Sequence, residues 1–374
     1  MRKKIRVLHV TEVLNPYGGT PLKLLHQVLH SSADFQFSVC CVLEEGGLAC
    51  QFRKAGVEVI ALSRRKNYDV GQIGDIVKII KEKNIDIVHT HFARSNTFGR
   101  IAALLTGRPS IVSEHGILRN DSMLVLFFDN LLNLWTSAHV CNSNATLKSV
   151  RKKVLLNRKN LSVIYNGIPD DFQEYLNIPK QEVKAGLSFC SSDFIVINVG
   201  GHIPLRDYGT FMEAIAKVRP AIPEIKVIQI GEGPERPVLE EQVRKLHLED
   251  VFLLWGYVDR EKTRKAIRAS DVYVNSAVWE GFGIATAEAM LCELPVIGAN
   301  AGALPELIDH QQNGLLFEPG NVVELADRIT ELHCSNEKRE RLGKAARQKV
   351  LTEFNIERFV KSFEDKYRLM LKPN

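Results

Sequence analysis

Glu280-Gly-Phe-Gly-Ile-Ala-Thr-Ala-Glu288 places two carboxylates at the ends of a glycine–aromatic–glycine turn that runs into strong helix formers, Ala285 to Leu291. Immediately upstream, Ala269-Ser-Asp-Val-Tyr-Val-Asn-Ser276 reads as a strand. A strand emptying into such a turn and then a helix sets the turn at the carboxyl end of a sheet, where open α/β sheets bind ligands. The backbone N–H groups of Phe282, Gly283 and Ile284 are then donors at a helix N-terminus, which attracts phosphate through hydrogen bonds and dipole together. Glu288, one turn further in, can accept two ribose hydroxyls. Glu280, ahead of the turn, can do the same for a hexose.

Outward from this stretch, strands alternate with helices in the order that builds two doubly wound sheets, an α/β class. The first series is Ile5–Val10, Phe37–Leu43, Val57–Ala61, Ile85–His89, Ser110–Glu114, Ala138–Cys141 and Leu161–Tyr165. The second is Phe194–Val199, Lys226–Ile230, Val251–Leu254, Val272–Asn275, Pro295–Gly298 and Gly314–Phe317. At 374 residues the chain exceeds what one core usually supports, so two domains are expected, 1–168 and 169–354. Asn166-Gly-Ile-Pro-Asp-Asp171 and the polar stretch to Asp193 supply the expected hinge.

With Gly256-Tyr-Val before it, and Leu294-Pro-Val-Ile-Gly and Gly302-Ala-Leu-Pro-Glu-Leu-Ile308 after it, the opening stretch resembles the E-x7-E motif of retaining, nucleotide-sugar-dependent glycosyltransferases of the GT4 type. The resemblance implies the GT-B fold: two Rossmann-like doubly wound lobes facing an interlobe cleft that closes around the donor. It also implies a C-terminal helix, within 355–374, that packs back on the first lobe. Glu280 then positions sugar hydroxyls, Glu288 holds the ribose, and the Phe282, Gly283 and Ile284 amides meet the diphosphate.

Other loops fit the same resemblance. Gly18 and Gly19, in Tyr17-Gly-Gly-Thr20, make a paired-glycine loop without the Gly-x-Gly-x-x-Gly spacing of a dinucleotide site. His115 closes Ser113-Glu-His-Gly116, where the family carries a histidine near the transferred sugar, and His91 of His89-Thr-His91 is a further candidate. Gly231, in Gly231-Glu-Gly-Pro234, and Val258 correspond to loops near the nucleotide. Asn166-Gly167 and Pro305-Glu306 are read as structural. In Val199-Gly-Gly-His-Ile-Pro-Leu-Arg-Asp207 the chain departs from the pattern, with Gly201 where relatives carry an arginine. Arg206 keeps the second cation and can hold phosphate oxygens bidentately. His202 is a candidate to make up the missing charge.

Composition narrows the class. Apolar residues at 45% and charged residues at 25% are those of a soluble globular chain. The longest purely apolar run, Met123 to Phe128, is far below the roughly 20 residues needed to cross a bilayer, and the basic N-terminus runs directly into a strand, so a cytoplasmic location is expected. Seven cysteines without metal-ligand spacing read as reduced, buried, small apolar residues. No two aspartates are separated by a single residue, so no metal and no cofactor are expected; the nucleotide sugar is a substrate.

Net charge is +5, but residues 1–180 carry 24 Lys plus Arg against 15 Asp plus Glu. The basic clusters at 64–66, 151–153 and 158–159 can meet an anionic acceptor or anionic lipid. No aromatic-interleaved platform accompanies them, which argues against nucleic acid. Met123–Trp135 is apolar over much of its circumference, as suits a core helix or one lying at a membrane surface. The functional expectation is transfer of a hexose-type sugar from a UDP- or GDP-linked donor to a glycan or lipid-linked acceptor in bacterial surface polysaccharide synthesis. A weakened nucleotide-sugar-binding protein, suggested by Gly201, and a dinucleotide oxidoreductase are the alternatives.

Overall fold

A computed structural model describes residues 4–16, 18–62, 69–116 and 123–372, with the backbone alone at 123–125. Tyr17 and the basic cluster at 64–66 lie outside the described residues. The chain divides into two compact units, one made of 1–167 with 356–374, the other of 168–355.

The first unit carries a seven-stranded sheet: β1 (Ile5–Thr11), β2 (Phe35–Cys41), β3 (Glu58–Ala61), β4 (Ile87–His91), β5 (Ser110–Glu114), β6 (Ala138–Cys141) and β7 (Leu161–Val163). All pairs are parallel, in the order β3-β2-β1-β4-β5-β6-β7. The second unit carries β8 (Phe194–Val199), β9 (Ile225–Ile230), β10 (Phe252–Gly256), β11 (Val272–Asn275), β12 (Val296–Ala299) and β13 (Leu315–Phe317), parallel in the order β10-β9-β8-β11-β12-β13. The order in which strands are added reverses between β1 and β4 and between β8 and β11, and ligands in such sheets bind at these switch points. Parallel strands are covered on both faces, which is why their sequences are near-continuous apolar runs. β4 extends two residues past the expected end, because His89 and His91 are buried ladder residues.

Helix Ile356–Met370 belongs to the first unit. Its Phe359, Val360, Phe363 and Tyr367 join Val7, Leu24, Val39 and Ile87 in one core cluster. The boundary between the units, at Gly167–Ile168, falls within the passage expected as a hinge, and the stretch beyond it is bound into the second unit. Asp170 pairs with Arg347 and Asp171 with Arg264, while Lys180 and Lys184 both reach Asp271 at 3.0 Å. Of the cysteines expected in the core, Cys40, Cys41, Cys141 and Cys292 are buried, but Cys50, Cys190 and Cys334 are exposed.

Helix Met123–Asn133 inverts the usual amphipathic arrangement. Its buried residues, among those whose side chains are described, are polar: Asn133 Oδ1 accepts from Arg100 Nη1 and lies 2.8 Å from His139 Nε2, and Asn130 holds Lys153 O and the Leu155 amide. Its outward residues are apolar. Phe127 is 64% exposed, and Phe128, Leu131, Leu134 and Trp135 are exposed beside Leu155 and Leu156. The core reading of this helix therefore fails for its outer face, since the polar side chains took the inward hydrogen bonds.

Candidate active site

Arg206 and Glu280 meet in the second unit because two loops are sewn together at the carboxyl edge of its sheet. The first loop leaves β8 through Gly200 and makes a single tight turn at Pro204–Arg206. The second leaves β11 at Asn275. Val278 N donates to Leu205 O at 3.0 Å and Ser276 Oγ to Arg206 O at 2.8 Å, so the backbone around Arg206 is fixed by the loop that carries Glu280. Arg206 Nη1 then donates to Glu280 Oε2 in a short ion pair, with both side chains mostly buried. Glu280 Oε1 accepts from the Gly281 amide at 3.1 Å, and Asn275 Nδ2, 3.1 Å from Thr286 Oγ1, approaches Glu280 Oε2 at 3.4 Å. A pair this buried is self-neutralising, and removing one partner leaves an uncompensated charge.

Glycines set the backbone of this site. Gly283 caps helix Ile284–Leu291 at φ 95°, a conformation that favours glycine, and so aims the first turn of that helix. Gly302, at φ 56°, lies against Glu280: a β-carbon there would come within 2.4 Å of both the Glu280 nitrogen and its carbonyl oxygen. Ala303 N also donates to Glu280 O at 2.9 Å, so the strand end after β12 buttresses the Glu280 main chain.

Glu288, half-buried on the same helix, receives Arg260 Nη2 at 3.3 Å. Burial holds its carboxyl above the ordinary carboxylate range, against the pull of Arg260 and Arg264. Asp171 takes the Arg264 guanidinium and lies 3.5 Å from Arg260, so the Glu288 end of the helix is a small network of two acids and two guanidinia. Arg260, Asp171 and Asn275 carried no motif and were not legible in the sequence. Gly302 stood in a quoted segment without a role, which only its φ and its neighbour reveal.

Two candidates are placed differently from their expected roles. His202 is fully buried, its Nε2 2.6 Å from Gln229 Oε1 and its ring against Tyr208 at 5.6 Å, so it packs the loop from inside instead of presenting charge to a ligand. Gly231 is a packing position as well: at φ 142°, a β-carbon would stand 2.0 Å from Gly200 O, so only glycine lets the loops after β8 and β9 touch. Val258 follows β10 half-buried beside the exposed Tyr257. Gly18 caps helix Gly19–His30, with Gly19 exposed as its first residue.

The first unit gathers histidines at its switch point. His115 Nδ1 lies 3.0 Å from Lys23 Nζ and its Nε2 3.1 Å from His91 Nδ1, so both ring nitrogens are engaged by neighbouring side chains. His91 Nε2 lies 3.0 Å from His9 Nδ1, and His89 bridges Tyr367 Oη at 2.6 Å and Ser113 Oγ at 2.7 Å. Nitrogens of His9, His89 and His91 fall within 4.8 Å of one another, but a metal there would have to break these bonds. Lys23 was missed by sequence reading, since a lysine in the register of an amphipathic helix looks like surface.

Two outcomes follow from this geometry. Gly302→Ala adds about 1–2 kcal/mol of left-handed backbone strain and sets a β-carbon against the Glu280 main chain, which has to move; a clear drop in melting temperature and a loss of turnover are expected together, which calorimetry and kinetics on one sample will show. Burial pushes His9 and His139 down to about 3, and lowers His89, His91 and His115 as well. The unfolded chain, titrating near the ordinary imidazole value of about 6.5, then binds more protons than the folded one between about pH 3 and 6.5. Stability is therefore lost as pH falls through that window. Urea midpoints from pH 7 to 4 test it, with His139→Gln expected to flatten the slope.

A family described as Glycosyltransferase Family 4 matches residues 25–172, and one described as Glycosyl transferases group 1 matches residues 179–349. The chain is 26% identical over 329 residues to the N-acetyl-alpha-D-glucosaminyl L-malate synthase of Bacillus anthracis, covering 86% of this chain and 84% of that one. It is 25% identical over 384 residues to the UDP-Gal:alpha-D-GlcNAc-diphosphoundecaprenol alpha-1,3-galactosyltransferase of Escherichia coli, covering 97% of each. Among solved structures it is similar to Anabaena HepE in complex with UDP-glucose, with a TM-score of 0.84, 22% identity, and coverage of 98% of this chain and 100% of that one. A glycosyltransferase from Rickettsia africae gives a TM-score of 0.86 at 19% identity, covering 99% and 100%. Two family matches that together span most of the chain, relatives aligned over nearly its whole length and the paired parallel sheets agree, and the chain belongs to the GT4-type glycosyltransferases with the GT-B fold.

Proposed function

We propose that the chain moves a hexose-type sugar from a UDP-linked donor to a glycan or lipid-linked acceptor, with retention at the anomeric carbon and without a metal, in the assembly of bacterial surface polysaccharide. The Arg206–Glu280 pair at the mouth of helix Ile284–Leu291 carries this reading. UDP is favoured over GDP by the relatives, since the E. coli enzyme is named for UDP-Gal and HepE is solved with UDP-glucose. A lipid-linked diphosphate acceptor also has its support in the name of the E. coli relative.

The reaction follows from charge. Breaking the bond from the anomeric carbon to the diphosphate develops negative charge on the leaving group, which fixed donors must neutralise. In the resting pair, Arg206 and Glu280 satisfy one another. A donor separates them: the guanidinium turns to the diphosphate oxygens, and the freed carboxylate accepts sugar hydroxyls. Amides at Gly283 and Ile284 add the helix N-terminus, and Glu288 accepts from the ribose. Retention would then have the acceptor attack on the face the diphosphate leaves, with a diphosphate oxygen taking its proton. The second unit binds donor and the first binds acceptor in this scheme.

Transfer from UDP-sugar should persist in excess chelator and raise the melting temperature with UDP but not with ADP or NAD. Arg206→Ala is expected to lower kcat/KM by about 10²–10³, the loss found when one preorganised donor to a developing anion is removed. Glu280→Gln should leave measurable turnover, and a covalent sugar trapped on Glu280 in the wild type would contradict the positioning role. A UDP-induced melting shift with no turnover on any acceptor would instead favour a binding protein weakened at Gly201.

The inverted helix adds a partner to the proposal. Phe127, Phe128, Leu131, Leu134 and Trp135 form an apolar face beside Leu155 and Leu156, and Arg151, Lys152, Lys153, Arg158 and Lys159 stand on the neighbouring segment. Apolar insertion flanked by lysine and arginine suits an anionic bilayer surface. Among the described residues no helix is long and apolar enough to cross a membrane, so contact would be peripheral. Flotation with anionic vesicles at low salt should carry the protein, and Phe127→Ser with Trp135→Ser should abolish it; no flotation of the wild type ends this part of the proposal.

A further inference from the structure

Lys23 and three histidines form a chain with one direction. Lys23 lies on helix Gly19–His30, buried, with its ammonium 3.0 Å from His115 Nδ1. His115 Nε2 lies 3.1 Å from His91 Nδ1, and His91 Nε2 lies 3.0 Å from His9 Nδ1. An ammonium has donors and no acceptor. Lys23 therefore donates to His115 Nδ1, which leaves the single proton of neutral His115 on Nε2. That proton faces His91 Nδ1, which fixes His91 in the same tautomer, and His91 fixes His9 in turn. The chain ends at His9 Nε2, a buried nitrogen without a partner among the described residues.

Burial keeps the three rings neutral, with Lys23 adding to the effect: His9 is held down at about 3, and His91 and His115 well below the ordinary value. Among the described residues Lys23 has no counter-ion. It faces His9 from β1, His89 and His91 from β4, His115 from β5 and the Phe359 ring at 5.8 Å from helix Ile356–Met370. No carboxylate among the described residues pairs with it, and burial brings its pKa down to about 7. An uncharged amine has a lone pair and can accept from His115 Nδ1–H, so the whole chain can then run the other way.

We propose that Lys23 is a positioning residue for His115: its ammonium fixes the tautomer and ring orientation of His115 at the carboxyl end of β5, and loss of its proton releases both. This rests on the reading of that sheet edge as the acceptor side of a glycosyltransferase. Tautomers can be measured without turnover, so the two ideas fail separately.

Nitrogen-15 NMR of histidine-labelled wild-type protein reads the chain directly. At pH 6, His9, His91 and His115 are expected to carry their protons on Nε2, and at pH 9 an Nδ1–H population is expected at His115. Lys23→Arg, with a permanent charge, should hold the Nε2–H tautomers through pH 9, whereas Lys23→Met should lose the preference already at pH 6. In steady-state assays, kcat of the wild type should fall above about pH 7, and Lys23→Arg should lack that fall. An Nδ1–H form of any of the three rings in the wild type at pH 6 overturns the proposal. So do tautomers and a pH profile unchanged by Lys23→Met. The wild-type spectrum decides even where that variant folds poorly.

Discussion

A half-buried arginine facing a half-buried glutamate organises the second unit. Each charge is partly removed from water there, and the opposite charge and the fixed dipoles around it offset that cost. Everything close by serves their meeting. Ser276 and Val278 bond the loop of Arg206, Asn275 braces the carboxylate, and Gly302 lets a neighbouring backbone press against Glu280. In the proposed reaction, a diphosphate and a sugar hydroxyl replace the contact that the two side chains make with each other.

The first unit fills its switch point with neutral polar groups instead of an ion pair. Its switch point is filled by imidazoles that are neutral because they are buried, and they satisfy each other through shared protons. The one ammonium among them supplies direction to the network. Polar and apolar residues are also exchanged on helix Met123–Asn133, where asparagines anchor the inward side and phenylalanines, leucines and a tryptophan face outward. Arrangements that contradict the ordinary partition of side chains cost stability in water, so they mark surfaces and interiors shaped by something other than folding.

Local pattern carried a long way. Strands β5, β6, β8 and β11 begin and end at the residues their apolar runs suggested, because a strand buried on both faces has no polar position to blur its edges. Errors fell at ends such as β4, where His89 and His91 look like loop chemistry yet stay in the ladder. The site residues show a similar division. Glu280, Gly283 and Glu288 were legible because a turn and one helix connect them. Lys23 with His115, 92 residues apart, and Arg206 with Glu280, 74 apart, were not legible as pairs.

The sequence by itself determined the parallel α/β class, the glycine-bracketed turn and the helix behind it, since these depend on neighbours within about one turn or one strand. Tertiary structure alone decided that Arg206 would rest on Glu280, that His202 would turn inward, that both nitrogens of His115 would be occupied and that an apolar helix face would look outward. Hydrogen bonds and ion pairs between distant segments depend on a few tenths of an ångström in three dimensions, and no periodicity along the chain encodes such a distance.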